Sequence, residues 1–220
     1  LLGAYRFLKY RTTDKKRKSD VVQLTIIESD ASKIGSIQTG VDRGIAYAEA
    51  EILARDLVNE PANKLSPSDL ADTAIRVAAE NGLKCTVLEE PDVSALGMGA
   101  FVGVSQGGPR PLKFIHLTYE GDKPNTENNL WFIGKGITFD SGGISLKPGA
   151  GMGKMKGDMG GGASVIAAIQ AISRLKPQLN VHAVCAATDN MPGGSAQRPG
   201  DVVTAMNGMT IEIDNTDAEG

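Results

Sequence analysis

Leu130-Trp131-Phe132-Ile133-Gly134-Lys135-Gly136-Ile137-Thr138-Phe139-Asp140-Ser141-Gly142-Gly143 is the stretch on which the reading of this chain turns. The apolar run 130–133 predicts a strand, and it passes directly into glycines, Lys135 and Asp140. A strand that ends in glycines and acids puts polar groups at the carboxyl edge of a sheet, where α/β proteins build their sites. Upstream, residues 84–88, 100–104 and 113–119 read as further short strands, and 121–129 as a polar loop. Downstream, residues 163–175 read as a helix and 180–188 as a buried strand. A Pro/Gly loop over 190–201 and a strand over 210–214 follow.

Earlier still, Val41, Ile45, Ala48, Ile52 and Leu57 form an apolar stripe at helical period, and that helix must end before Pro61. Ser66-Pro67-Ser68-Asp69 starts a second helix with a cap, a proline at the first helical position and an acid in the first turn; it stops at Gly82. Residues 1–10 read as a helix and 21–28 as a β-branched strand. Strands alternating with helices predict an α/β fold with a mixed sheet flanked by helices. The organisation expected is the tail of an N-terminal α/β domain over 1–40, a connecting helix over 41–60, and the first part of a catalytic domain over 61–220.

Composition narrows the classes. The chain has 220 residues, 41% hydrophobic and 22% charged, enough to bury a core. A net charge of −3 argues against a nucleic-acid surface built on bulk positive charge. The one basic run, Lys15-Lys16-Arg17-Lys18, reads as a solvated turn. Two distant cysteines, Cys85 and Cys185, suit a reducing compartment. No apolar run reaches the roughly 20 residues of a membrane span and no signal peptide is visible, so a cytoplasmic protein is expected. The ends, Leu1-Leu2-Gly3 and Asp217-Ala218-Glu219-Gly220, read as cuts through longer elements.

The residues with chemistry cluster late. After Asp140 come Lys147, Asp158 ahead of Met159-Gly160-Gly161-Gly162, and finally Asp217 and Glu219. On an extended segment the i, i+2 spacing of the last two points both carboxylates to one side. Singly, these residues could cap turns or sit in solvent. Together, three aspartates, a glutamate and two lysines among glycine-rich turns point to oxygen-rich coordination of two divalent ions. The absence of H-E-x-x-H excludes a single-zinc peptidase of that type.

Four stretches then carry a resemblance: Asn59-Glu60-Pro61-Ala62-Asn63, the segment 134–143 quoted above, Lys156-Gly157-Asp158-Met159-Gly160-Gly161, and Asn215-Thr216-Asp217-Ala218-Glu219-Gly220. In order and spacing they resemble the leucyl aminopeptidase (cytosol aminopeptidase) family. The resemblance implies one metal on Asp140, Asp217 and Glu219, and another on Lys135, Asp140, Asp158 and Glu219, with Asp140 and Glu219 bridging. It implies zinc or manganese, with magnesium able to substitute, peptide substrates with a free N-terminus and a preference for leucine, and a homohexamer. Lys147 matches the catalytic lysine, and Met155 a position lining the pocket for the first side chain. The family continues with an arginine after Gly220 that holds a bicarbonate ion, so this stretch alone is expected to be nearly inactive, with Asp217 and Glu219 on an unanchored end.

The physics agrees with those roles. An amine binds metal only when neutral, and neutralising a lysine at pH 7 costs roughly 4–5 kcal/mol, which a nearby divalent ion can offset. Lys147 should instead stay protonated and stabilise an oxyanion. Two rival readings compete with this one. Gly103-Val104-Ser105-Gln106-Gly107 fits G-x-S-x-G, but Gly108-Pro109-Arg110-Pro111 cannot begin the helix a nucleophile elbow needs, and His116 and His182 fall in apolar runs. Gly160-Gly161-Gly162 before a helix could hold a phosphate, although close backbone packing explains it more plainly. A non-catalytic metal-binding or regulatory relative is the alternative from another class.

Overall fold

The computed structural model describes residues 2–13 and 21–220. The basic run at 15–18 lies outside the described residues.

A long helix α1, Ile34–Asn59, leads into the sheet domain; it begins seven residues before the apolar stripe does and stops ahead of Pro61. Helix α2, Pro67–Asn81, has the capping box read from sequence: the Ser66 hydroxyl accepts from the Asp69 amide while the Asp69 carboxylate accepts from the Ser66 amide. Gly82 closes it in the left-handed region, φ 65°, where a side chain would be strained. Strand β1, Lys84–Leu88, is followed by two short helices, α3 Glu90–Ala95 and α4 Gly99–Ser105. Then come β2 Lys113–Glu120, β3 Asn129–Asp140, helix α5 Gly160–Leu175 and β4 Asn180–Asn190. A small antiparallel ribbon of β5 Val202–Thr204 and β6 Thr210–Glu212 ends the regular structure.

The four-stranded sheet has the order β1-β2-β4-β3. Its first two pairings are antiparallel and β3–β4 is parallel, with α5 as the crossover. The mixed sheet flanked by helices is the fold class read from the sequence. One face carries the core: Ile115 and Leu117 of β2 and Val181, Ala183, Cys185 and Ala187 of β4 pack against α2, α5 and the end of α1. Helices α1 and α5 meet through Ala50, Ala167 and Ala171, small residues that let the two backbones approach. Among the described residues, no helix is long and apolar enough to cross a membrane.

Three elements differ from expectation. Residues 2–10 hold only a short 3-10 turn at Leu2–Ala4. A ten-residue helix is marginal by itself, and this segment is instead held to α1 by its side chains. The Tyr5 hydroxyl donates to Asp56 at 2.8 Å, while Lys9 and Tyr10 both reach the buried Glu60 carboxylate at 2.5 Å. Residues 21–28 form no strand: Val22 and Ile27 are at least 90% exposed, and β-branched residues make a strand only where a neighbour completes the ladder. Residues 100–104 lie within helix α4, because a short apolar run has no period of its own to separate strand from helix.

Candidate metal centre

Strand β3 is the foundation of the site. The sequence places its end at residue 133, but parallel pairing with β4 carries it through the glycines to Asp140, with an irregularity between Ile137 and Phe139. Both Lys135 and Asp140 therefore leave from one strand. Gly134 is required there for space: a Cβ would lie 2.4 Å from the Gly161 carbonyl oxygen, where the start of α5 presses on the sheet. Within the 160–162 run, Gly161 packs on the Lys135 backbone and Gly162 on Cys185 and the Lys135 carbonyl, so close packing, the plainer reading, holds for these two, while Gly160 has only an ordinary contact with Val58. Gly134→Ala is expected to destabilise the fold by about 1–3 kcal/mol, as overpacking against backbone does. The check is thermal unfolding, where each kcal/mol moves the midpoint by about 2–4 °C; an unchanged midpoint would contradict the close approach.

After Asp140 the chain doubles back. Gly142 and Gly143 sit at φ 89° and 65°, and the Lys147 amide returns to the Ser141 carbonyl at 2.9 Å. That turn sets the Lys147 ammonium 2.9 Å from Asp140 Oδ2, and it also meets Asp217. Asp158 follows the 3-10 helix Met152–Gly157, which also carries half-buried Met155. The Lys156 ammonium donates to the Asn59 carbonyl at the end of α1 and so ties this helix down. Lys135 reaches Asp158 Oδ2 at 2.8 Å and also pairs with Glu219, whose side chain is fully buried.

The segment bearing Asp217 and Glu219 is not an unanchored end. Thr216, fully buried, donates its hydroxyl to the Gly142 carbonyl at 2.7 Å and accepts from the Ser145 amide at 2.8 Å. Its own amide donates to the Ser145 hydroxyl at 3.2 Å. Asp217 and Glu219 reach the cluster through a turn, with the Ala218 amide on the Asn215 carbonyl, and not along an extended strand. The result is that Asp140, Asp217 and Glu219 each offer an oxygen within 4.8 Å of the others.

Electrostatics distinguishes the two lysines. The hydrogen bonds it donates to Asp217 and Asp140 hold the Lys147 ammonium protonated well above the ordinary lysine range, as expected for a permanent cation. Burial pulls Lys135 down, but the adjoining Asp158 and Glu219 carboxylates outweigh it and raise the group. Any role as a neutral ligand therefore requires loss of that proton. Burial pushes Asp140 up, and the Lys147 ammonium, the Gly142 amide and Asn190 more than reverse the shift. For Asp158 burial prevails and its carboxyl is raised.

The donor set fits divalent cations. Asp158 Oδ2 and both Glu219 oxygens are buried without a hydrogen bond in good geometry. Lys135 stands at ion-pair distance from two of these oxygens, but outside hydrogen-bonding directions. The Lys135 ammonium offsets part of the cost of burying these carboxylates, and a divalent cation would complete the oxygens that still lack a directed partner.

Reading the residues alone missed two features. Asn190 reaches into the cluster from the end of β4; the only signal for it was an acid and an amide closing a buried strand. An apolar cavity of 280 Å³ opens beside Lys135 and Glu219, with Phe101, Val104, Phe114 and Ile133 among its walls. It is built by α4, which the sequence reading had placed in the sheet. The serine-hydrolase alternative finds no support: Ser105 ends a helix and donates to the Val102 carbonyl at 2.7 Å. His116 and His182 bond each other at 2.9 Å and stack near Trp131.

Fold and centre together define an α/β protein with a carboxylate-and-lysine cluster at the carboxyl edge of its sheet. The catalytic-domain profile of the cytosol aminopeptidase family matches residues 52–220, and the chain belongs to that family. A probable cytosol aminopeptidase of Alkaliphilus oremlandii is 49% identical over all of this chain, and one of Solibacter usitatus likewise 49%. Among solved structures, the bottromycin maturation enzyme BotP in complex with Mn aligns over all of this chain, with a TM-score of 0.87 at 39% identity. The chain spans 44% of the Alkaliphilus protein, 45% of the Solibacter protein and 44% of the BotP chain.

Proposed function

We propose that the whole protein is an aminopeptidase that removes N-terminal residues, leucine preferentially, by hydrolysis assisted by two divalent ions. The observation that carries this is the convergence of Asp140, Asp217 and Glu219 oxygens within 4.8 Å at a sheet edge, beside buried Asp158 and Glu219 oxygens that lack a hydrogen bond. One ion would be held by Asp140, Asp217 and Glu219, the other by Lys135, Asp140, Asp158 and Glu219. Zinc or manganese is proposed, with magnesium able to substitute, and bicarbonate as a further cofactor of the whole protein. Two such ions, when bound, polarise the scissile carbonyl and acidify a water.

The chain's own residues supply the rest. Lys147 keeps its proton and faces the place where negative charge develops on the carbonyl oxygen. Asp140 and Asp217 hold that ammonium in position, and Met155 contributes to the pocket for the first side chain. The wider proposal is a cytoplasmic homohexamer acting on peptides with a free N-terminus. Residues 1–40 would belong to an N-terminal domain, 41–60 to a connecting helix and 61–220 to the catalytic domain. The relatives named as cytosol aminopeptidases, and the Mn complex of BotP, support this reading.

The test is to offer the whole protein, with zinc or manganese, a leucyl peptide and its N-acetylated counterpart. Hydrolysis of the first and not the second is expected. Equal cleavage of both, or of neither, would overturn the assignment. Lys135→Ala should lower metal content toward one equivalent per chain, because a ligand of one ion is lost. Elemental analysis reads this, and two tightly held equivalents in the variant would remove Lys135 from the ligand set.

A further inference from the structure

We infer that Asn190 is a positioning residue for the metal centre, joining the two separately arriving pieces of the carboxylate cluster through a single side-chain amide. The inference rests on the metal-binding reading above and adds a residue to it.

The cluster has an assembly problem. Asp140 comes from the end of β3, whereas Asp217 and Glu219 come from a segment more than seventy residues later. The Lys147 ammonium offsets the repulsion between Asp140 and Asp217, but a flexible lysine does not fix the spacing of the two backbones that carry them. Asn190 ends β4 and is paired in register with Asp140 across the parallel β3–β4 ladder. It is almost fully buried. Its Nδ2 donates to Asp140 Oδ1 at 2.9 Å and to the Thr216 carbonyl, one residue before Asp217, also at 2.9 Å. Both partners are acceptors only, which fixes the orientation of the amide: the NH2 group must face them.

The rest of Asn190 is fixed as firmly. Its backbone carbonyl accepts from the Ser141 amide at 3.0 Å and the Ser141 hydroxyl at 2.7 Å. A Cβ on Gly143 would lie 2.7 Å from Asn190 Oδ1, so the glycine turn after Asp140 closes over the side chain. The Asn190 backbone is therefore fixed independently of the two donations its side chain makes.

A consequence follows for Asp140. Oδ1 already accepts from the Gly142 amide and from Asn190, each at 2.9 Å. Oδ2 is the oxygen turned toward Lys147. Asn190 and Gly142 thus sort the carboxylate into an anchored oxygen and a presented one. Groups that orient ligands in this way typically contribute 10–100-fold in metal affinity.

The experiment titrates the whole protein with Mn²⁺ by calorimetry, as wild type, Asn190→Ala and Ser173→Ala. The last variant deletes a buried hydrogen bond, from the Ser173 hydroxyl to the Gln170 carbonyl within α5, that has no contact with the cluster. Asn190→Ala is expected to weaken Mn²⁺ binding by about 10–100-fold, while Ser173→Ala binds within about threefold of wild type. Because Asn190→Ala also removes buried contacts, the rise in thermal midpoint on adding Mn²⁺ is read for each variant against its own chelated form. That difference follows affinity for the folded state. It should shrink in Asn190→Ala and not in Ser173→Ala. Mn²⁺ binding by Asn190→Ala within threefold of wild type, or an equal loss in both variants, would overturn the positioning role. No Mn²⁺ binding by the wild type would instead overturn the metal reading on which it rests.

Discussion

Asp140→Ala is expected to leave the purified protein without tightly bound divalent metal and without peptidase activity. Asp140 is the one acid of the cluster fixed by the sheet itself, buried at the end of β3 and in register with the end of β4. In the proposed assignment it touches both ions, so its loss removes a ligand from each. It also leaves the Gly142 amide and the Asn190 side chain without their acceptor, at about 1–3 kcal/mol for each buried donor left unsatisfied. Reduced stability could by itself abolish activity, so Asp140→Asn is the companion variant. It keeps the shape and one acceptor oxygen but loses the charge, and should fold closer to wild type while still failing to retain both ions. Elemental analysis of the two proteins, with unfolding curves in chelator, decides the matter. Two full equivalents in either variant would show that Asp140 does not bridge.

Lys147→Ala is expected to keep its metal and lower kcat by about 10²–10³, the size of effect seen when one donor to a developing oxyanion is lost. The geometry separates this lysine from Lys135, although both contact two carboxylates. Lys147 sits on the turn after Asp140 and holds its proton strongly against Asp217 and Asp140. It is suited to remain a cation throughout turnover. Its loss should appear in kcat far more than in KM, because the charge it opposes exists only in the transition state. Loss of metal equal to that in Lys135→Ala would instead make Lys147 a ligand.

Much of this was legible in the residues, and the failures have physical causes. Helix α2 could be read because Ser66, Pro67, Asp69 and Gly82 each state a local rule about a helix end. Strands β1, β2 and β4 could be read because alternating or continuous apolar runs survive burial. The 21–28 segment looked equally strand-like, but a strand is a property of its neighbours, and none pairs with it among the described residues. The end of β3 was placed too early because glycine carries no apolar signal, even where the ladder continues through it. For the cluster, residue type and order named the acids and lysines that the structure brings together. What sequence could not supply was the ties among them. Thr216 on Gly142 and Ser145, and Asn190 on Asp140 and Thr216, are hydrogen bonds across 26 to 74 residues, and no local pattern encodes them.

The most direct test of the account is the number of divalent ions held per chain by the whole protein, measured by elemental analysis after purification in manganese or zinc and set beside leucyl-peptide hydrolysis on the same sample. Two equivalents are expected, with activity lost on chelation and regained as the second equivalent is restored. Full hydrolytic activity in protein carrying less than one equivalent would contradict a two-metal centre on Lys135, Asp140, Asp158, Asp217 and Glu219.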